Sequence, residues 1–180
     1  MSVLVGERTM SVRLLHRQPV LALDGVAGEL ADMLFDDSRW TVRYLVIDDL
    51  GPMPRRDVLV QPAQVAGVDG TIQLNLRRAE LKKCPGLDED RPVYLQYDMH
   101  GVPRPADPHL RSAEIVLGYA LRSGTAPAGH LKDIEIDAER WTVTSLVADT
   151  GIWLPGKRRT VDPRLVRAID WIARTIELTT

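Results

Sequence analysis

Hydrophobic and polar residues alternate in short runs along most of the chain, which is the pattern of half-buried β-strands. The clearest runs are Leu30 to Asp36 and Trp40 to Asp48, and the polar turn Asp36 to Arg39 separates them. Two such runs joined by a short polar turn predict a β-hairpin. The same pattern returns over Leu131 to Asp149, around the turn Asp137 to Arg140.

The two hairpins belong to an internal repeat. Every residue from Gly28 to Pro62 aligns without a gap to the residue 101 positions later, from Gly129 to Pro163. About 14 of about 35 aligned residues are identical, and such self-similarity indicates duplicated structural units. The repeat therefore predicts two small domains rather than one larger one.

Shorter runs on either side of each hairpin complete the two copies. Further strands are predicted at Ser11–His16, Val20–Asp24, Asp57–Gln61, Thr71–Leu76, Tyr119–Ser123, Arg159–Val161 and Thr175–Leu178. Single helical turns are predicted at Pro62–Ala66 and Pro163–Ile169, because proline is tolerated at the start of a helix.

A segment rich in proline and glycine separates the copies. It opens with a predicted helix, Arg77 to Lys83, which consists of good helix formers. Within it, Pro92 to Tyr97 could add an edge strand, and His109 to Leu117 has some helical character. We therefore predict a first domain over 1–76, a helix and linker over 77–108 and a second domain over 109–180. The fold class is mainly β, with short helical turns.

Composition and charge narrow the class of protein. Among 180 residues, 44% are hydrophobic and 27% are charged, which excludes a disordered or low-complexity chain. The net charge of −2 argues against a typical nucleic-acid-binding protein, which usually has a basic surface and a high pI. The single cysteine, Cys84, fits a reducing compartment. No run approaches the roughly 18–20 apolar residues of a membrane helix, so we expect a cytoplasmic protein without membrane insertion.

Short motifs in the second copy are similar to those of a known family. They are Leu110-Arg-Ser112, Gly118-Tyr119, Gly129 to Asp133, Ile136-Asp137, Trp141, Leu146 to Thr150, Trp153 to Gly156, Val161 to Pro163 and Ile169 to Trp171. With them, residues 110–178 resemble the PRC-barrel family, the domain shared by the photosynthetic reaction-centre H subunit and the C-terminal half of the ribosome maturation factor. Residues 11–76 match more weakly, since Pro52 to Arg55 stands where the second copy has Trp153 to Gly156.

The resemblance implies a small six-stranded PRC-type β-barrel in each copy. It also implies an assembly or docking role, because the characterised members of the family are assembly or docking modules. The chain shows no catalytic constellation, no cofactor motif and no metal-ligand spacing; the four histidines, for example, are scattered.

Acidic residues are the first candidates for chemistry. They recur in both copies as Asp32, Asp36, Asp48, Asp133, Asp137 and Asp149. Paired carboxylates can act as acid and base or hold Ca²⁺ or Mg²⁺, but aspartate also caps turns by bonding its own backbone. Because all three positions are kept in both copies, we predict a structural role.

Tryptophans and a basic run supply the candidate contact surface. Trp40 and Trp141 are predicted in the core, whereas Trp153 lies in a loop and is either a contact anchor or a lid on its own barrel. The basic run Lys157-Arg158-Arg159 follows, and it is either a docking surface or a solvated face. The predicted partner-binding residues are Trp153, Leu154, Lys157, Arg158 and Arg159.

Two hypotheses about function follow. The first is a non-catalytic protein–protein interaction or assembly module, which we expect to form a homodimer. The alternative is an RNA- or ribosome-associated adaptor, by analogy with the maturation factor, or an accessory protein of photosynthetic or electron-transfer complexes. The arginines support an RNA partner, and the acidic pI of about 6.1 opposes it.

Overall fold

The computed structural model describes residues 9–49, 57–151 and 158–179. Strands dominate these residues, so the prediction of a mainly β protein is confirmed. The loop predicted between Asp49 and Arg56 lies outside the described residues, apart from Asp49 itself, which ends a strand.

The two copies contain the same series of elements. In the first copy they are β1 Thr9–Ser11, α1 Val12–Leu15, β2 Pro19–Ala22, β3 Gly25–Asp36, β4 Thr41–Asp49, β5 Asp57–Val60, a 3-10 helix Pro62–Gln64, β6 Val65–Val68 and β7 Ile72–Leu74. In the second copy they are β8 Leu110–Ser112, α3 Ala113–Val116, β9 Ala120–Ser123, β10 Ala126–Asp137, β11 Thr142–Asp149, β12 Arg158–Val161, a 3-10 helix Pro163–Leu165, β13 Val166–Asp170 and β14 Thr175–Leu178. The segment between them holds α2 Arg78–Leu81, inside the predicted helix, and a 3-10 helix Val93–Leu95.

Several predictions about individual segments are wrong. Residues Ser11–His16 do not form one strand, because the Ser11 hydroxyl accepts a hydrogen bond from the Leu14 amide at 3.2 Å and starts α1. Residues Pro92–Tyr97 form a 3-10 turn rather than an edge strand. The predicted helical turn Pro163–Ile169 ends at Leu165, since Val166 is extended and begins β13, a strand that the prediction missed together with β6.

The strands form one continuous sheet. Its main path runs in the order β13-β14-β9-β10-β11-β4-β3-β2-β7-β6, with β1, β5, β8 and β12 joined at its sides. Neighbours are antiparallel except for the parallel pairs β2–β7 and β9–β14. Over the described residues this hydrogen-bonded path stays open from β13 to β6.

The copies meet at an approximate two-fold axis. There Thr41 of β4 pairs with its repeat equivalent Thr142 of β11. The amide of Val42 donates to the carbonyl of Trp141, and the amide of Val143 donates to the carbonyl of Trp40, both at 2.7 Å. Equivalent residues thus make equivalent bonds, and the chain resembles a dimer of its own two halves.

Each copy gives its first strand to the other copy. Strand β1 pairs with β10, so that Ser11 lies opposite Glu135. Strand β8 pairs with β3, so that Ser112 lies opposite Leu34. Hydrogen bonds therefore cross between the predicted domains 1–76 and 109–180, whose boundaries stay a prediction.

The hydrophobic core is continuous between the copies. Trp40 and Trp141 are partly buried against it, as predicted, and the Trp40 ring stacks on Phe35 with 5.8 Å between the ring centres. A second, smaller core lies on the opposite face of the first copy. It consists of Leu34, Val46, Leu59 and Leu110, with Ala31, Tyr44 and Leu87 packed against it.

Candidate functional site

The exchanged strands build two equivalent grooves around two aspartates. Asp32 accepts hydrogen bonds from the Ser112 hydroxyl and, at 3.0 Å, from the Glu114 amide. Asp133 accepts them from the Ser11 hydroxyl at 2.5 Å and from the Arg13 amide at 3.2 Å. Each carboxylate therefore holds the start of the other copy's first helix, because the first amides of a helix have no partner within it.

Two of the other recurring aspartates shape turns. Asp36 accepts from the amides of Ser38 and Arg39 at 2.9 and 3.1 Å. Its equivalent Asp137 accepts from the amides of the next turn, at 2.8 and 3.1 Å. These contacts confirm the structural role predicted for these two residues.

The first groove lies on the outer face of the first copy and is already occupied. Its lining residues are Ala31, Asp32, Val46, Asp57, Leu87, Tyr94, Ser112, Glu114 and Ile115. Three of them are acidic and none is basic. Leu87 and Tyr94 come from the linker, which leaves a cavity of only about 140 Å³.

The linker is fixed to the first copy by side chains that the second copy lacks. The Arg43 guanidinium binds Asp107 at 2.5 Å and Asp90 at 3.1 Å. The Leu59 amide donates to the Pro85 carbonyl at 2.8 Å, which adds the linker to the free edge of β5. The repeat equivalents of Arg43 and Leu59 are Thr144 and Thr160, which offer neither the charge nor the apolar surface.

Burial under the linker changes the acidity of the groups in the first groove. Burial raises the pKa of Asp32 to about 6, although the Ser112 hydroxyl and the Glu114 amide act in the opposite direction. Burial also raises the pKa of Tyr94 to about 12, with smaller contributions from the charges of Asp32 and Asp57. The Asp32 carboxylate thus sits in an environment that disfavours its charge.

The second groove lies at the equivalent place on the second copy. Its lining residues are Ser11, Arg13, Leu14, Lys132, Asp133, Glu135, Val147, Arg158 and Thr160. Most of these are repeat equivalents of first-groove residues, but Leu87 and Tyr94 have no counterpart in the part of the chain that the structure describes. The cavity is correspondingly larger, at about 670 Å³.

The second groove is also reversed in charge. Arg13, Lys132 and Arg158 are exposed where the first groove has Glu114, Ala31 and Asp57. Across residues 9–49, 57–151 and 158–179, none of the three cations makes an ion pair; the Arg13 guanidinium donates only to the Lys132 carbonyl, at 3.3 Å. The two acidic lining residues are already engaged, Asp133 as described and Glu135 by the Ser145 hydroxyl.

The predicted partner-binding residues fall in two places. Trp153, Leu154 and Lys157 lie outside the described residues. Arg158 and Arg159 are exposed on β12, and Arg158 lines the second groove whereas Arg159 does not. The binding role of all five stays a prediction.

The sequence prediction missed Arg13, Leu14 and Lys132 as members of this site. A signal was present, because the repeat alignment pairs Arg13 with Glu114 and Arg158 with Asp57. Using it requires knowing that β1 crosses to the second copy, which places Arg13 beside Arg158. Neither charge nor spacing along the chain reveals that exchange.

The described residues contain no group of three or more histidines, cysteines or acidic residues arranged to hold a metal ion. Among them, too, no helix has the length and apolar character needed to cross a bilayer.

The His109 ring and the Arg111 guanidinium contact the Asp37 carboxylate at 2.9 and 2.6 Å, which adds a polar cluster between the start of β8 and the hairpin turn of the first copy.

No protein-family model matches the chain, and no curated protein matches it significantly.

Proposed function

We propose that this protein is a non-catalytic interaction module built from two PRC-type barrels, and that a partner protein docks in its second groove. Strands β2 to β7 and β9 to β14 supply six strands per copy, the number that the resemblance implies. The pairings β2–β3–β4–β5 and β2–β7–β6 recur in the second copy, which supports two equivalent units.

The observation that carries the proposal is the pair of grooves. Both have the same serine–aspartate frame, and one of them already binds a segment of chain, the protein's own linker. The linker therefore serves as an internal example of what such a groove accepts. The second groove has the same frame. No described residue covers its cations or the Leu14 side chain, which is 74% exposed.

The absence of catalysis in the proposal is supported by the hydrogen bonds of the carboxylates that recur in both copies. Asp36 and Asp137 are turn caps, and Asp32 and Asp133 are helix anchors. These hydrogen bonds explain the recurrence of the four carboxylates without a catalytic role.

Site-specific photo-crosslinking tests this function. A benzophenone amino acid replaces Leu14 in the second groove, and a matched variant carries it at Ile172, which is 77% exposed in the β13–β14 turn. In native lysate we expect one discrete protein adduct from position 14 and none from position 172. No adduct, or the same adducts from both positions, would contradict docking in the second groove.

An RNA- or ribosome-associated adaptor is the second candidate, and the three unpaired cations are the observation that favours it. It requires that the adduct from position 14 contain RNA or a ribosomal protein, and that it fail to form when the lysate is treated with nuclease before irradiation. An adduct that still forms after this treatment supports the protein-binding function instead.

Homodimerisation also stays a prediction. A pair of chains would have about twice the 20.1 kDa mass of the single chain in light scattering. A mass that stays at the monomer value at high protein concentration would contradict homodimerisation.

A further inference from the structure

The two grooves differ in charge and in surface, and the difference points to the chemistry of the missing occupant. We infer that the second groove binds an extended acidic segment of a partner protein, with one aromatic or aliphatic residue among its carboxylates. This inference rests on the proposed function and names the partner class for the same site.

The first step is the backbone. Strand β5 pairs with β4 on one side, and the linker covers its other side through the Leu59 amide and the bridge between Val58 and Gly86. Strand β12 pairs with β11 in the same register, so the Thr160 amide points outward as the Leu59 amide does. Among described residues nothing pairs with that outer edge. An extended peptide can bind there by strand addition.

The second step is charge. In the first groove, three acidic residues surround the linker side chains Leu87 and Tyr94. In the second groove, Arg13, Lys132 and Arg158 surround a cavity that no linker residue of the described chain enters. Three unpaired cations around one groove favour an occupant that carries several carboxylates, because complementary charge both speeds encounter and excludes partners of the wrong sign.

The third step is the apolar contact. Val147 forms a buried part of the second groove and Leu14 is exposed at its rim. Their equivalents in the first groove, Val46 and Ile115, line the space that Leu87 and Tyr94 occupy. One apolar side chain of the partner segment would take the same place, while its acidic neighbours reach the cations.

The polar outer face explains why the occupant differs from the linker. The second copy has Glu135 and Thr160 where the first has Leu34 and Leu59 of the small core. An apolar segment would gain little there, since little apolar area would be buried. An acidic segment gains from the cations without needing that area.

The test uses a labelled peptide of about 12 residues, with alternating Asp and Glu around one Tyr, and the full chain. A Lys-for-Asp/Glu peptide and a 12-mer of polyuridine are the comparison probes. Fluorescence anisotropy should show binding of the acidic peptide alone, weakened at least about tenfold between about 50 and about 300 mM salt.

Repeat-matched substitutions locate the binding. The variant Arg13→Glu, Lys132→Ala, Arg158→Asp gives the second groove the residue types that the first groove has at the equivalent positions, which are Glu114, Ala31 and Asp57. This variant should bind the acidic peptide at least about tenfold more weakly. The control variant Lys82→Glu, Lys83→Ala, Arg122→Asp makes the same change of net charge at exposed positions outside the groove and should bind as wild type.

The outcomes separate the two proposals. Equal loss in both triple variants, no binding of the acidic peptide, or tighter binding of polyuridine than of the peptide would overturn the acidic-segment inference. A discrete protein adduct from position 14 would still support the docking function in each of those cases. If that adduct is also absent, both the docking function and the acidic-segment inference are contradicted.

Discussion

The outer faces of the two copies show how a duplicated fold can keep its frame and change its contacts. On the first copy, Leu34 and Leu59 are covered by the linker, which Arg43 holds in place. On the second copy, the equivalents of those two leucines are Glu135 and Thr160, and they line an open groove. The serine–aspartate anchors beside both grooves are the same.

The difference shows which residues carry the architecture and which carry the contact. Asp32 and Asp133 are held in place by the exchanged strands, so replacing either one would disturb both copies at once. The outward side chains are under no such constraint, and the positions of Leu34 and Leu59 carry polar residues in the second copy. A duplicated surface that is free to change in this way can acquire a partner while its twin remains part of the core.

The largest expected effect comes from the small core under the linker. Leu59→Ala removes a side chain that is 1% exposed, so the free energy of unfolding should fall by about 2–5 kcal/mol. Its repeat match, Thr160→Ala on the exposed face, should change that free energy by less than about 0.5 kcal/mol. Urea denaturation of both variants measures the contrast. Similar losses would mean that the two faces are covered alike.

The next effect is the pH dependence of stability contributed by Asp32. Its pKa of about 6 in the folded protein lies above the value of 3.8 for an ordinary aspartate, so the folded protein retains a proton that the unfolded chain loses. The stability from this proton is fully present below about pH 4 and is lost as the pH rises through about 6. A difference of this size corresponds to about 3 kcal/mol.

Asp32→Asn should therefore flatten the decline of unfolding free energy between about pH 4 and about 6. The control is Asp98→Asn, since the Val102 amide lowers the pKa of Asp98 and its contribution falls below that window. Denaturant titrations at several pH values measure both. An unchanged slope in Asp32→Asn would show that the linker does not desolvate this carboxylate.

A smaller effect is expected from the anchor of the linker. Arg43→Ala breaks the ion pairs with Asp90 and Asp107 and should lower the free energy of unfolding by about 1–2 kcal/mol. The repeat match Thr144→Ala should be nearly neutral, because its exposed hydroxyl only bonds the Glu135 carbonyl at 3.2 Å. Thermal unfolding of the two variants should separate them, and equal midpoints would contradict the anchoring role.

Much of the fold was accessible from the sequence because hairpins are encoded locally. The runs around Asp36 and Asp137 predicted strands β3, β4, β10 and β11 within a few residues. The exchange of β1 and β8 was not accessible, because it depends on the bonds of Ser11 and Ser112 to residues far away in the chain.

The candidate site was predicted only at one edge. Arg158 follows from the basic run, whereas Arg13 and Lys132 carry no motif and meet it only through the exchanged strand.

The short strands β6 and β13 were also missed. Val65 to Val68 contains Ala and Gly, which are weak strand formers, and packing rather than propensity makes it a strand.

Hydrogen exchange at two equivalent amides tests the central contrast most directly. The Leu59 amide is bonded to the Pro85 carbonyl, whereas the Thr160 amide faces outward from β12. In the free protein, NMR should show slow exchange at Leu59 and fast exchange at Thr160, and the acidic peptide should slow Thr160 alone. Equally slow exchange at both amides in the free protein would contradict the account, because the second groove would then be covered like the first.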